Sequence, residues 1–220
     1  TQADNAEKNK LIVMKWSNLQ RTNKDGLEDD DEEDNKYRLE DDDDEEEEDD
    51  DENDENPELE FRMIKHSGGV NRVRGMPQMS ALVSTWADDG KVHVWNVHPE
   101  LEALEGRAGM APTTAPVFTF SGHRSEGYGM AWNPHQVGQL VTGDSLGGCF
   151  LWSPETAGGS WSQTQLLTRE NKFDSIEDIE FRKIGGPNIV AICGAEGRVG
   201  IVDVRNAEKC ASHFVAHEGD

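Results

Sequence analysis

The chain has 220 residues, enough for one or two domains, and a formal net charge of −24 at pH 7. The charge is localised: between Asp25 and Glu60 there are 25 acidic and two basic residues, so this segment carries −23 and the remainder −1. A polyanionic segment argues against nucleic acid or an anionic membrane as its partner and favours a polycation. The sequence contains no run of 18 apolar residues that could span a membrane.

Two predicted strands flank the acidic segment. Residues 11–16 are apolar and β-branched over about the length of one strand. Residues 58–65 alternate polar and apolar side chains, the period of two expected of a half-buried strand. Because blocks of like charge repel one another and stay disordered, we expect a long disordered loop between these strands.

The sequence then repeats itself. One unit opens at His66 and a second at His123, 57 residues later. Each unit has a second apolar run and a third run that ends in tryptophan, Trp95 in the first unit and Trp152 in the second, again 57 residues apart. Repetition at a fixed period predicts a fold assembled from similar units.

A third unit follows with apolar runs at 175–181, 188–193 and 198–205. A fourth run at 210–215 leads to His217, which would open a further unit. The runs are short, are separated by Gly, Pro, Asn, Asp and Ser, and show no long helical pattern, which predicts an all-β fold.

A His-to-Trp unit of three short strands, followed by one more strand before the next Gly-His pair, resembles the WD repeat of β-propellers. Residues 175–181 fit the first strand of that repeat, and 87–95 fit its turn and third strand. The spacings of 57 and 50 residues exceed the ~40–45 that are typical, chiefly through an insertion at 98–115. The third unit departs from the pattern, with Val202 at the Trp position and Lys172 where the Gly-His pair would be.

The acidic segment between two strands, together with the motifs at 66–74 and 120–128, makes the resemblance specific to one family of WD-repeat proteins. The chain resembles the glutamate-rich WD-repeat proteins of eukaryotic ribosome assembly, whose relatives include the retinoblastoma-binding histone chaperones. The resemblance implies a seven-bladed propeller, of which about three and a half blades are present, so we expect a fragment of the ring. It also implies a nuclear and nucleolar chaperone that escorts a basic large-subunit ribosomal protein of the L-three type to the pre-ribosomal particle, with histones as further partners.

This resemblance suggests a domain organisation. We expect residues 1–24 to supply one or more strands of a first blade and 25–57 to form a disordered acidic loop within that blade. Residues 58–220 would then continue the propeller, truncated at its C-terminal end.

Repeat positions supply the candidate structural residues. We expect the histidines to bond a turn aspartate or a strand serine or threonine, with Asp89 as the best partner candidate, and the tryptophans to anchor the core. The expected repeat residues are His66, Asp89, Trp95, His123, Trp152, Asp178, Asp203 and His217.

The densest part of the acidic segment is the candidate partner-binding site. A flexible anionic chain can neutralise many cationic side chains without a fixed geometry and can suppress association with RNA. A merely solubilising loop is the alternative interpretation. The residues concerned are Asp41, Asp42, Asp43, Asp44, Glu45, Glu46, Glu47, Glu48, Asp49, Asp50, Asp51 and Glu52.

No catalytic, cofactor-binding or metal-binding motif is found, so we expect a protein that is not an enzyme. The cysteines form no CxxC pair, which indicates a reducing compartment and no zinc site; they are Cys149, Cys193 and Cys210. Two alternatives to the ribosomal chaperone stay open, a histone-binding chromatin factor and a WD-repeat substrate receptor for ubiquitin ligation. The residues alone do not separate a ribosomal from a histone partner.

Overall fold

The computed structural model describes residues 9–19, 57–107, 109–155, 160–167, 172–206 and 210–217. The chain divides into two compact units, one formed by Thr1–Val13 and Phe61–Asp220, the other by Met14–Glu60. No helix in the described part is long and apolar enough to cross a membrane. Residues 20–56 lie outside the described ranges, so the acidic loop and the domain boundaries around it stay predictions.

The described residues contain fourteen strands and one helix. In chain order they are β1 (Lys10–Ser17), β2 (Glu58–Lys65), β3 (Val70–Met76), β4 (Met79–Ala87), β5 (Val92–Asn96), α1 (His98–Leu104), β6 (Phe118–Phe120), β7 (Gly127–Trp132), β8 (Leu140–Asp144), β9 (Cys149–Pro154), β10 (Trp161–Leu166), β11 (Asp178–Phe181), β12 (Ile189–Cys193), β13 (Arg198–Asp203) and β14 (Ser212–Val215).

The strands form one pair and three four-stranded sheets. β1 pairs with β2, and the sheets have the orders β3-β4-β5-β6, β7-β8-β9-β10 and β11-β12-β13-β14. Each strand of these three sheets is antiparallel to its chain neighbour, so each sheet is a meander. The first strands β3, β7 and β11 lie side by side. Sheets that fan out from adjacent first strands are the blades of a propeller, so the predicted all-β propeller class is confirmed.

Apolar layers between successive sheets hold the blades together. Between the first and second four-stranded sheets, Trp86 and Trp152 are almost completely buried and pack with Phe120. Between the second and third sheets the layer includes Phe173 and Ile176, which are both fully buried. Full burial of one such side chain contributes about 2–3 kcal/mol.

A glycine with positive φ recurs in the turn between the second and third strands of each sheet. Gly90, Gly147 and Gly197 have φ values of +78°, +73° and +71°. A Cβ at these positions would meet the carbonyl oxygen of Ser125, Phe173 or His217, each in the loop that leads to the next unit. Glycine therefore permits both the left-handed turn and its close packing against the following loop.

The predicted insertion contains the short helix α1, the only helix in the described residues. Its Glu100 is buried, and the carboxylate accepts hydrogen bonds from the backbone N–H (2.7 Å) and hydroxyl (2.8 Å) of Thr113. These bonds fasten the loop after α1 back onto the helix.

Candidate functional site: the histidine-bearing rim

Two sets of loops form the rim on which the histidines lie. We define the histidine rim as the loops that enter each four-stranded sheet and the turns between its second and third strands, together with the first residues of β11 and β13: residues 66–69, 88–91, 123–126, 145–148, 172–178 and 194–198. Backbone hydrogen bonds join the two sets, as between Ser145 N and the carbonyl of Glu126 at 3.0 Å.

The most complete polar network of the rim lies in the sheet β7–β10. His123 Nε2 lies 2.8 Å from Thr142 Oγ1, and its Nδ1 lies 2.9 Å from Asp144 Oδ2. Trp152 Nε1 donates to the same threonine hydroxyl at 2.9 Å. Since an ionised carboxylate only accepts, Nδ1 carries the proton and Nε2 accepts from the threonine. The result is one continuous chain of hydrogen bonds from Trp152 through Thr142 and His123 to Asp144.

Electrostatics keep this network in a single protonation state. Burial lowers the pKa of His123, against the opposing effect of Asp144, so the ring is neutral at pH 7. Burial alone would raise the pKa of Asp144, but hydrogen bonds from His123 and from the amides of Gly148 and Leu146 lower it. Those amides donate to Asp144 Oδ1 at 2.7 and 3.0 Å. The carboxylate therefore ties the turn after β8 to the loop before β7.

The sheet β3–β6 carries a variant of the network. His66 Nε2 lies 2.9 Å from Thr85 Oγ1, and Trp95 Nε1 donates to the same hydroxyl at 2.9 Å. The carboxylate position is occupied by Ala87, and His66 Nδ1 donates instead to the carbonyl of Gly68 at 3.3 Å. Burial lowers the pKa of His66, so this ring is neutral as well.

The expectation that Asp89 is the partner of the histidine is wrong. Its carboxylate accepts from the backbone N–H of Lys91 at 3.1 Å and pairs with the Lys91 ammonium. The position that faces the histidine is two residues beyond the threonine, because alternate residues of a strand share a face. The Thr142–Asp144 spacing is the sequence signal that would have identified this carboxylate.

A second buried histidine, His93, was not anticipated from the repeat. Its Nδ1 lies 2.9 Å from Thr119 Oγ1, and its ring meets the ring of His66 edge-on at 5.4 Å between centroids. Burial, and repulsion from His66, lower the pKa of His93 to about 4. Both histidines are therefore neutral around pH 7.

The third sheet, β11–β14, replaces the network with apolar residues. With the repeat spacing of 50, the residues at the His, Thr, Asp and Trp positions are Phe173, Ile192, Gly194 and Val202. All four are buried. The histidine position is thus occupied by Phe173, one residue beyond the predicted Lys172. Exchanging all members of a buried polar network for apolar groups leaves no unpaired donor, whereas exchanging the threonine alone would leave the tryptophan N–H unpaired.

The remaining predicted repeat residues lie outside the two buried networks. Asp178 Oδ1 lies 3.5 Å from Arg72 Nη2. Asp203 accepts from the backbone and guanidinium of Arg205, whose hydrogen bonds lower the pKa of Asp203 to about 2. His217 follows β14, with its carbonyl against the turn after β12.

The histidine rim carries an excess of negative charge. It has four basic side chains, Lys91, Arg124, Lys172 and Arg198, and seven carboxylates outside the buried network, a formal charge of −3. The carboxylates are Asp88, Asp89, Glu126, Asp174, Glu177, Asp178 and Glu196. The acidic stretch 41–52 lies outside the described residues. Within the described ranges, no group of three or more His, Cys, Asp or Glu side chains is placed to hold a metal ion.

Four-stranded meanders that radiate from adjacent first strands, with a Trp–Thr–His chain of hydrogen bonds inside the blade, define a WD-repeat β-propeller. The chain is part of such a propeller.

Comparison with known proteins shows to which family of WD-repeat proteins the chain belongs. The chain is 43% identical over 205 residues to glutamate-rich WD repeat-containing protein 1 of Dictyostelium discoideum, covering 93% of this chain and 41% of that protein. It is 30% identical over 227 residues to ribosome assembly protein rrb1 of Schizosaccharomyces pombe, covering 100% of this chain and 43% of that protein. It is 27% identical over 157 residues to histone acetyltransferase type B subunit 2 of Aspergillus oryzae, covering 69% of this chain and 34% of that protein.

These similarities confirm the resemblance to glutamate-rich WD-repeat proteins. The chain spans less than half the length of these relatives. No family model matches it.

Proposed function

We propose that the protein is a non-enzymatic ribosome-assembly factor of the nucleus and nucleolus. It acts as a chaperone that binds a basic ribosomal protein of the large subunit, of the L-three type, and delivers it to the pre-ribosomal particle. The observation that carries this proposal is the similarity over 93% of the chain to a glutamate-rich WD-repeat protein and over the whole chain to a ribosome assembly protein.

The distribution of charge supports a basic client. The segment 25–60 carries −23 and the histidine rim −3. A ribosomal protein has Lys- and Arg-rich surfaces that bind RNA once the particle is assembled, and before assembly those surfaces attract any polyanion. An anionic chaperone covers them reversibly, and this attraction speeds encounter and is screened by salt over about 10 Å at 0.1 M.

The geometry of the histidines supports a binding role over a catalytic one. Both ring nitrogens of His123 are occupied by Thr142 and Asp144, and the His123 side chain is fully buried. A general acid or base must reach the proton of a substrate within hydrogen-bonding distance. The network therefore stabilises the blade, and the partner binds at the surface of the propeller.

Histone binding is the second candidate, favoured by the similarity to a subunit of a type B histone acetyltransferase. Histones are also small, basic proteins, so the same anionic surfaces fit them. The identity to that subunit is lower, 27% against 43%, and covers less of the chain, which is why we place the ribosomal client first.

Purification of the full-length protein from nuclease-treated nuclear extract, read by mass spectrometry, separates these two clients. We expect one large-subunit ribosomal protein in stoichiometric amount. Stoichiometric core histones, without that ribosomal protein, would contradict the proposal.

A direct binding assay then tests the anionic surfaces with the purified client. Deleting residues 41–52, or reversing charge with Asp174→Lys and Glu177→Lys, should each weaken binding several-fold at low salt, with a smaller effect at high salt. Glu155→Lys, an exposed carboxylate outside the histidine rim, is the matched control and should leave binding within about twofold. Equal binding by all variants at low salt would show that the client is not held by these charges.

A further inference from the structure

The turns between the first and second strands of the three four-stranded sheets form a second rim. We define this hairpin rim as residues 76–79, 133–139 and 182–188. Each presents one large apolar side chain to solvent: Met79, the first residue of β4, is 48% exposed, Val137 58% and Ile184 86%. Connecting turns ordinarily carry Gly, Asn, Asp, Ser or Pro, so turn geometry does not require the exposed Val137 and Ile184.

Hydrogen bonds join the three turns side by side. Gln78 Nε2 donates to the carbonyl of Asn133 at 2.7 Å, which links the first turn to the second. Asn133 Nδ2 donates to the carbonyl of Pro187 at 2.7 Å, and His135 Nε2 donates to the carbonyl of Arg182 at 3.1 Å, which link the second turn to the third. The three connections are therefore held next to one another on the same rim.

The buried side chain of Asn133 holds the backbone of the second connection in place. Its side chain is fully buried, and Oδ1 accepts from the backbone N–H groups of His135 at 2.9 Å and Gln136 at 3.2 Å. Nδ2 also donates to Gln139 Oε1 at 2.6 Å. A buried amide with this many partners holds the backbone in one conformation, so binding to the rim would cost little ordering entropy.

The charge of the hairpin rim is opposite to that of the histidine rim. Its only charged residues are Arg182 and Lys183, a formal charge of +2. The Arg182 guanidinium is oriented by the carbonyl of Gly185, and the exposed Lys183 ammonium lies 3.3 Å from Glu180 of β11. The exposed Ile184, directly after these two cations in the sequence, and the exposed Met79 and Val137 of the neighbouring connections complement a segment that carries both apolar side chains and carboxylates.

We propose that the hairpin rim is a docking surface for an acidic, apolar peptide segment of a partner protein. The segment would place aliphatic or aromatic side chains over Met79, Val137 and Ile184 and its carboxylates against Arg182 and Lys183. This surface is separate from the histidine rim, so a basic client and an acidic partner bind without competition.

Fluorescence anisotropy of a labelled peptide that alternates leucine and aspartate tests the proposal on the full-length protein. We expect saturable binding, weakened about tenfold by Ile184→Ser, since burial of one such side chain accounts for at least that factor. Val137→Ser should act in the same direction. Because both side chains are exposed, the variants should keep the wild-type circular dichroism spectrum.

Matched controls make the result specific. Leu146→Ser removes an aliphatic side chain that is 53% exposed on the histidine rim and should leave peptide binding unchanged. A peptide with lysine in place of aspartate should bind the hairpin rim at least tenfold more weakly. Failure of the acidic peptide to bind, or equal loss with Leu146→Ser and Ile184→Ser, would overturn the proposal.

One further arm tests whether the chain's own acidic segment is the occupant. Deleting residues 41–52 should leave peptide affinity within about twofold if the surface is open to a partner. A gain of tenfold or more that Ile184→Ser abolishes would assign the surface to the chain's own segment and overturn the proposal of a partner.

Discussion

Replacing Thr142 with valine tests the hydrogen-bonded chain of the second four-stranded sheet. The hydroxyl donates to His123 and accepts from Trp152, at 2.8 and 2.9 Å. Valine has nearly the same shape, so Thr142→Val opens no cavity and changes only the polar contacts. Two buried ring nitrogens, one donor and one acceptor, would then lack this partner.

The expected cost follows from those two atoms. Leaving one buried polar group unpaired costs about 1–3 kcal/mol, so Thr142→Val should lower the free energy of unfolding by about 2–6 kcal/mol, with ~4 as the central value. Thr164→Val, on an exposed strand position, is the matched control and should stay within about 0.5 kcal/mol. Urea denaturation followed by far-ultraviolet circular dichroism measures both.

A double-mutant cycle separates the hydrogen bonds from packing. Trp152→Phe removes the indole donor, so in the Thr142→Val background it should cost about 1–2 kcal/mol less than in the wild type. Strict additivity of the two substitutions, or a loss below about 1 kcal/mol for Thr142→Val alone, would refute the continuous chain.

Three further outcomes are expected. The pKa of His93 is lowered to about 4 from 6.5, so the native state favours the neutral ring. The contribution of His93 to the free energy of unfolding is therefore fully present above pH 6.5. It falls by about 2 kcal/mol, after allowance for solvent screening, as the pH drops from 6.5 to 4. His93→Phe should flatten that part of a pH titration of the midpoint of unfolding, and an unchanged slope would contradict the assignment. Asn133→Ala should lower the free energy of unfolding by about 3 kcal/mol, measured against Gln136→Ala as control, because the buried Gln139 side chain and the partly buried carbonyl of Pro187 lose their hydrogen bonds. Ile192→Thr should cost about 2–3 kcal/mol by burying a hydroxyl among apolar residues; a neutral result would show that the third sheet tolerates a partial polar network.

The repeat and the strand pattern could be predicted from sequence because they depend on local information. Alternating residues at 58–65 and the equal spacing of the histidines and tryptophans indicated which segments are strands and which belong to one blade. The structure places β2 and the three meanders on those segments. The expectation that 58–65 is half-buried is wrong, because Ile64 is the only buried residue of β2.

The partners of the buried polar groups could not be predicted in the same way. Asp89 and Asp144 both lie near the turn before a tryptophan, and the choice between them depends on where the strand ends: Asp144 is still in β8, two residues beyond Thr142 on the same face, whereas Asp89 lies in the turn after β4. Asn133 contacts Pro187, 54 residues away. Its role depends on how two sheets pack, and no local pattern around it indicates that distance.

The third sheet shows that three positions of the repeat change together. A His, Thr and Trp set and a Phe, Ile and Val set each satisfy the blade, while a mixture of the two leaves a buried group unpaired or a gap unfilled. The aspartate position varies separately, since Ala87 occupies it beside an intact set of His66, Thr85 and Trp95. A comparison that scores each position independently counts the exchange of the three-residue set as three mismatches and underestimates how closely the third blade is related to its neighbours.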